Sequence, residues 1–201
     1  MKDFRLFETM RVSARGEVLL LERHLGRLQH SADYFSFKYD SAQLRDGIPQ
    51  TPGRLRLTLS SDSTFDVEVG PLPARNPRFL RLSRVRVNSG DSFLYHKTTN
   101  RKTYEEARQD CDEENDVILV NERGEITETT IANIAVLRED RWITPAISCG
   151  LLPGVMRAEL LARGEIAEGV VLANELVAGE TVHCFNALRG LFAAHCATKG
   201  C

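Results

Sequence analysis

Three stretches of this chain carry groups whose order could do chemistry. Lys97 sits in His96-Lys97-Thr98-Thr99-Asn100-Arg101, where a strand-rich half gives way to a polar helix. Glu128 follows in Ile126-Thr127-Glu128-Thr129-Thr130-Ile131-Ala132-Asn133, on a strand pattern. Leu152-Pro153-Gly154-Val155-Met156-Arg157 then opens a helix with Pro-Gly. A lysine amine can form an imine with a carbonyl compound and, once freed, act as a base. A buried strand carboxylate needs a cationic or protonated partner. A helix N-terminus offers backbone N–H groups and a positive dipole end to a phosphate.

Each of these residues also has an ordinary reading. A lone lysine at a domain junction is normally solvated, a strand glutamate is normally exposed, and Pro-Gly is common at helix starts. Arg27, within Glu22-Arg23-His24-Leu25-Gly26-Arg27-Leu28, is either a surface helix arginine or a guanidinium fork clamping a phosphate. His24 beside it reads as a structural hydrogen bonder. Asn186-Ala187-Leu188-Arg189-Gly190 follows an apolar strand. It is either a polar turn or a source of further phosphate donors, with Arg189 aimed at a substrate carboxylate. An amine, a carboxylate and a phosphate-binding helix start, in that order, are what pyridoxal 5′-phosphate (PLP) requires. In that reading the amides of Val155 and Met156 donate to the phosphate and Glu128 pairs with the pyridinium nitrogen.

Composition narrows the class. The 201 residues suffice for one large domain or two small ones, and 42% apolar with 27% charged residues is ordinary for a globular chain. A net charge of −2 gives no reason to invoke nucleic acid or an anionic membrane. No apolar run approaches the roughly 20 residues that span a bilayer. Met1-Lys2-Asp3-Phe4 enters a strand pattern at once, without an apolar signal segment. The five cysteines have neither a zinc spacing nor a disulfide pattern, so a reducing cytoplasm is expected and no metal. Cys196 and Cys201 read as incidental thiols on a frayed tail.

The elements that must position these groups follow from periodicity. Phe4 to Val12 reads as a strand turned by Ala14-Arg15-Gly16-Glu17 into Val18-Leu19-Leu20. Leu21, Leu25, Leu28, Ala32 and Phe35 recur at helical spacing, with Arg27 off the stripe. Ser41 to Asp46 reads as a short helix. Arg54 to Leu59 alternates leucine and arginine, and Phe65 to Val69 is its hairpin partner. Phe79 to Val87 is another strand, and Asn88-Ser89-Gly90-Asp91 the linker. Thr98 or Thr99 caps a helix to about Glu113. Val117–Val120, Ile126–Leu137 and Arg141–Thr144 give three or four strands. Pro153 to Arg163 is a helix ended by Gly164. Val170–Leu172 and Thr181–Phe185 finish the sheet, with a short helix near Glu175. This predicts an N-terminal domain over 1–88, an antiparallel sheet with helices, and a C-terminal domain over 92–201.

Six stretches in register resemble the fold-type IV PLP enzymes, the class IV aminotransferase family. They are residues 6–12 (LFETMRV), 20–32 (LLERHLGRLQHSA), 96–101 (HKTTNR), 120–136 (VNERGEITETTIANIAV), 150–157 (GLLPGVMR) and 184–190 (CFNALRG). The resemblance implies an α/β (α+β) two-domain fold like that of D-amino acid aminotransferase, PLP as cofactor, and a homodimer with each site at the domain interface. It makes Lys97 the Schiff-base lysine, Glu128 the pyridinium partner and Arg27 a phosphate ligand. Val155, Met156, Asn186 and Ala187 supply further phosphate contacts.

Arg11 after Phe-Glu-Thr, Asn100-Arg101 after the lysine, and Asn-Ala-Leu-Arg-Gly look more like the 4-amino-4-deoxychorismate lyases than the transaminases. Their substrate carries two carboxylates, and Arg11, Arg54, Arg56, Arg101 and Arg189 are available to bind them, Arg11 and Arg189 foremost. The alternatives are a transaminase for branched-chain or D-amino acids and a PLP-binding relative without turnover. Two features depart from the family pattern. Only five residues precede Leu6, so the usual Gly-Asp-Gly turn is missing and a trimmed N-terminal domain is expected. Ser61-Asp62 stands where an Arg-Gly pair normally follows the third strand.

Overall fold

The computed structural model describes residues 3–109, 111–112 and 115–197. The chain divides into two compact units. The first comprises Met1–Pro73, His96–Asn100 and Ala187–Arg189; the second comprises Ala74–Tyr95, Arg101–Asn186 and Gly190–Cys201.

The first unit is a three-stranded antiparallel sheet, order β1-β2-β3, built from β1 (Leu6–Val12), β2 (Gly53–Leu59) and β3 (Phe65–Gly70). Strand alternation divides β1 between two faces. Leu6, Glu8, Met10 and Val12 are buried with Leu55, Leu57 and Leu59 of β2. Phe7, Thr9 and Arg11 share the other face with Thr58, Arg56 and Arg54, their register partners. Helix α1 (Leu21–Phe35) buries Leu25, Leu28 and Ala32 in the same core as β1 and β2. Each buried leucine contributes about 1.5–3 kcal/mol. The helix ends where Ser36 turns left-handed at φ 54°, and the Phe37 N–H returns to the Ala32 carbonyl. Helix α2 (Ser41–Asp46) is capped by Asp40, whose carboxylate accepts from the Gln43 N–H. Val18 makes only an isolated bridge to Val12, so Val18–Leu20 is not a second strand.

The second unit is an eight-stranded mixed sheet, order β6-β5-β4-β11-β10-β7-β8-β9. Its strands are β4 (Phe79–Val87), β5 (Asn115–Asn121), β6 (Ile126–Thr129), β7 (Asn133–Arg138), β8 (Arg141–Pro145), β9 (Ala167–Gly169), β10 (Thr181–Asn186) and β11 (Gly190–Cys196). β4 runs parallel to both β5 and β11. That pairing places Phe79–Val87 in the second unit, so the division at Pro73 differs by one strand from the expected linker at 88–91. Helices α3 (Lys102–Arg108) and α4 (Val155–Ala162) complete the unit.

Three further elements differ from expectation, and one open reading is resolved. Thr98 and Thr99 do not cap α3. Thr98 bridges Leu6 and the Thr99 N–H bonds the Arg5 carbonyl, so this segment is extended and Arg101 is the cap residue. The expected helix end at Glu113 lies outside the described residues. Of the three or four strands expected over 117–144 there are four, since Ile126–Leu137 breaks at Thr130–Ala132, where the Thr129 hydroxyl accepts the Ala132 N–H at 3.0 Å and folds a turn. The last sheet strand before β10 is Ala167–Gly169, paired with β8, whereas Val170 is exposed and Leu172 makes one bridge. β11 had no counterpart in the periodicity. Its small residues Ala193 and Ala194 conceal the alternation, and Cys196 is buried at its end rather than on a frayed tail. Cys201 lies outside the described residues.

Candidate active site

In the second unit, the site is built around Glu128 on β6. Its carboxylate is buried and takes three donors of different origin. The Tyr104 hydroxyl of α3 donates to Oε1 at 2.7 Å, and the Leu152 N–H donates to the same oxygen at 3.0 Å. The Asn133 Nδ2 donates to Oε2 at 3.0 Å. Donors at both carboxylate oxygens favour the ionised form. The Tyr104 phenol keeps its proton. Burial pushes its pKa well above the usual value, and the neighbouring Glu128 charge raises it further. Arg101 lies over the Tyr104 ring, its guanidinium carbon 4.3 Å from the centroid, and donates to the Thr130 carbonyl at 2.6 Å. That engagement makes Arg101 a weaker candidate for a substrate carboxylate.

The start of α4 belongs to the same cluster. Gly154 is the cap residue and provides no side-chain cap, so the first-turn amides of Val155 and Met156 receive none from it. A Cβ on Gly154 would lie 1.9 Å from the Asn133 Oδ1, so only glycine fits here. Pro153 therefore precedes the cap and does not occupy the first helical position. Arg157 is buried and turned away from the helix start, donating to the Pro145 carbonyl at 2.9 Å and pairing with Glu168. Asn186, at the end of β10, donates from Nδ2 to the Ile131 carbonyl at 3.0 Å.

In the first unit, Lys97 lies in an extended segment fastened to β1. Its carbonyl accepts the Phe7 N–H at 3.0 Å, and the Thr99 N–H bonds the Arg5 carbonyl at 2.8 Å. The preceding His96 is buried and meets Ser31 of α1 at 3.0 Å, under the Tyr34 ring. Lys97 is thus gripped on both sides. Its Nζ is 4.6 Å from the Phe7 ring centroid, and the Arg56 guanidinium lies 4.0 Å from the same centroid.

Arg27 is not free. Its Nε donates to Glu8 Oε1 at 2.8 Å and its second terminal nitrogen to Oε2 at 2.6 Å, a bidentate fork onto the strand residue. His24 Nδ1 completes the cluster at 2.7 Å from the same carboxylate. Burial would raise the Glu8 pKa, but the Arg27 charge and His24 hold it down to about 2. Burial lowers the His24 pKa, so a neutral ring donating from Nδ1 is the form consistent with an ionised Glu8.

The arginines share one face of the sheet. Arg11 stands directly opposite Arg54, with Arg56 two residues along β2. Like charges opposed across a strand pair are unfavourable. The Arg54 Nε is buried without a hydrogen-bond partner. Arg189 occupies the turn that Gly190, at φ 74°, closes into β11.

These donor sets fit PLP at the level of chemistry. An ionised, buried carboxylate suits a protonated ring nitrogen, an uncapped glycine-led helix start suits a phosphate, and Lys97 is a partly buried primary amine. Sequence reasoning points to Lys97, Glu128 and the helix start as candidates. It had missed Tyr104, Asn133 and the Leu152 amide as partners of Glu128, and Glu8 as partner of Arg27. The one available signal was Glu8 itself, a carboxylate in phase with the buried residues of β1.

Residues 5–195 match the family model for amino-transferase class IV. A protein of Schizosaccharomyces pombe, named provisionally as an aminodeoxychorismate lyase, is 34% identical over 205 residues, covering 94% of this chain and 88% of its own. A solved chain from Mesorhizobium loti, described provisionally as an amino-acid aminotransferase, superposes with a TM-score of 0.87 at 36% identity, covering 97% of this chain and 100% of its own. The 4-amino-4-deoxychorismate lyase of Pseudomonas aeruginosa gives a TM-score of 0.80 at 23% identity, covering 96% and 83%, a likeness of fold.

Proposed function

The chain belongs to the class IV aminotransferase family and has its fold-type IV architecture, and from that premise we propose that it is a PLP-dependent aminodeoxychorismate lyase. The reaction converts 4-amino-4-deoxychorismate into 4-aminobenzoate and pyruvate. The observation that carries this choice is the Arg11–Arg54 end of the first sheet's polar face, beyond Asp66 and Glu68 of β3, which stand opposite Thr58 and Arg56. Arg11 opposes Arg54, and the Arg54 Nε is buried without a partner. A substrate with two carboxylates offsets that repulsion, whereas an apolar amino acid brings only one. The likeness to the S. pombe protein supports the same reading.

When bound, PLP supplies the electron sink for the pair left by a departing proton. Lys97 tethers the cofactor and, once freed, takes the proton from the amine-bearing carbon of the substrate. Glu128 keeps positive charge on the ring nitrogen and so stabilises the carbanionic transition state. The amides of Val155 and Met156, with Asn186, Ala187 and Arg27, hold the phosphate. Arg11, Arg56 and Arg189 bind the substrate carboxylates. The carbon–oxygen bond to the three-carbon group then breaks, the departing enolate takes a proton at carbon to become pyruvate, and the ring becomes aromatic. Aromatisation drives the reaction, so these residues mainly orient the substrate and hold the proton. A homodimer is part of this proposal.

A transaminase for a small amino acid is the second reading, favoured by the 36% identity to the M. loti chain. It uses the same residues up to proton removal. Incubating the PLP-loaded protein with aminodeoxychorismate, and separately with an amino-acid panel, decides between them. Release of 4-aminobenzoate and pyruvate is expected. Efficient conversion of alanine or leucine, with pyridoxamine phosphate accumulating and no 4-aminobenzoate, replaces the lyase with the transaminase. Absence of both reactions indicates a PLP-binding relative without turnover. Borohydride reduction followed by peptide mapping should find the cofactor on Lys97, and finding it on Lys102 would refute the assignment.

A further inference from the structure

We propose that Asn133 is a positioning residue that sets the ring-nitrogen partner Glu128 and the phosphate-binding start of α4 at one fixed spacing. The inference rests on the PLP reading above and assigns this chain a residue that neither end of the cofactor touches. Asn133 is the first residue of β7, and its side chain is buried. Its Nδ2 donates twice, to Glu128 Oε2 at 3.0 Å and to the Leu152 carbonyl at 2.9 Å. The Leu152 N–H closes the loop by donating to Glu128 Oε1 at 3.0 Å. Carboxylate, amide side chain and backbone thus form a ring of three hydrogen bonds, two residues before the cap of α4. The Asn133 Oδ1 faces the cap itself, because a Cβ on Gly154 would lie 1.9 Å from it. Neither Glu128 nor Gly154 can shift without moving Asn133. PLP carries its ring nitrogen and its phosphate on one aromatic ring, the phosphate on a short phosphomethyl arm, so the span between them is bounded. A protein that fixes both partners before binding avoids the cost of ordering them afterwards.

The test compares two ligands that differ at one end. PLP and pyridoxal share the ring nitrogen, and pyridoxal lacks the phosphate. Their Kd values are measured by fluorescence titration for wild type, Asn133→Ala, Asn133→Asp and Glu128→Gln. Wild type is expected to prefer PLP strongly. Asn133→Ala is expected to weaken PLP at least tenfold and to reduce the preference for PLP over pyridoxal, because the phosphate site loses its spacing. Glu128→Gln is expected to weaken both ligands by a similar factor and to leave the preference intact. Asn133→Asp keeps the side-chain shape while removing both donations. It should reproduce the loss of preference even if Asn133→Ala does not fold. Its PLP absorbance should also titrate at a different pH from wild type, since a second carboxylate then faces Glu128. An unchanged preference in a folded Asn133 variant overturns the inference while leaving the PLP reading standing. Wild type that binds neither ligand overturns both.

Discussion

Glu128 illustrates how much a single carboxylate depends on what surrounds it. Tyr104, Asn133 and the Leu152 amide together satisfy both of its oxygens in a buried place and favour its charged form. Glu128→Gln keeps the shape and removes the charge. We expect it to bind PLP yet to lower turnover by about 10²–10³-fold, the range for loss of one preorganised electrostatic contact. Unchanged turnover in that variant would mean that another group holds the nitrogen. Arg27 carries a second prediction at this scale. Its guanidinium forks onto buried Glu8, so Arg27→Ala strands a carboxylate in the core. The expected loss is about 3–5 kcal/mol in urea unfolding, and Arg27→Lys should not restore it, since a lysine cannot fork. A loss below about 1 kcal/mol in the alanine variant would argue against the pair. Lys97 and Glu128 were legible in the sequence because their residue types name their chemistry. Tyr104 and Asn133 were not, because their role lies in a partner far along the chain. Helical periodicity put Tyr104 on the apolar side of its helix, which explains its burial but is silent about its hydroxyl.

At the scale of elements, α4 shows how a helix start is set by a side chain from another strand. Gly154 is extended, at φ −65° and ψ 139°, so its backbone conformation does not require glycine. The space does, since Asn133 occupies the position of a Cβ. Gly154→Ala must therefore displace Asn133 or tilt the first turn, at a cost of about 1–3 kcal/mol. The expected result is a lower melting temperature together with weaker PLP binding. Restored melting without restored PLP affinity in the double variant Gly154→Ala/Asn133→Ala would separate the steric effect from the positioning effect. α1 and β1 to β4 were legible because their apolar spacing matches one period, β5 because its apolar run is continuous, and α2 because Gly47-Ile48-Pro49 ends it. The turn inside Ile126–Leu137 was left open between one strand and two, because its run of threonines and isoleucines suits a strand throughout. β11 was hidden for the opposite reason, since alanines carry little contrast between its faces.

For the molecule as a whole, the two units should respond differently to acid. In the first, Glu8 is buried and its pKa is held at about 2, against 4.5 for an unperturbed glutamate. A carboxyl depressed on folding gives stability that is present above its unfolded pKa and is lost as the pH falls through its folded pKa. That difference amounts to about 3 kcal/mol, lost between roughly pH 4.5 and pH 2. Buried His24 acts in the same direction. Its pKa is lowered in the fold, so unfolding takes up a proton once the pH drops below the ordinary histidine value. In the second unit, the depressed carboxyl of Glu122 is exposed, where screening leaves it worth little, and that of Glu125 is held in the same turn by Arg123 and Asn121. The single tryptophan, Trp142, lies in the second unit and reports on it by fluorescence. Amide exchange along α1 and β1 reports on the first. On acidification, protection in α1 and β1 should fall before the Trp142 emission changes. Glu8→Gln, already destabilised at neutral pH, should show little further loss of that protection between pH 4.5 and pH 2. If wild-type α1 is as protected at pH 2.5 as at pH 7, the charge on Glu8 is not what holds the helix to the strand. The cluster of Glu8, His24 and Arg27 would then owe its stability to packing alone.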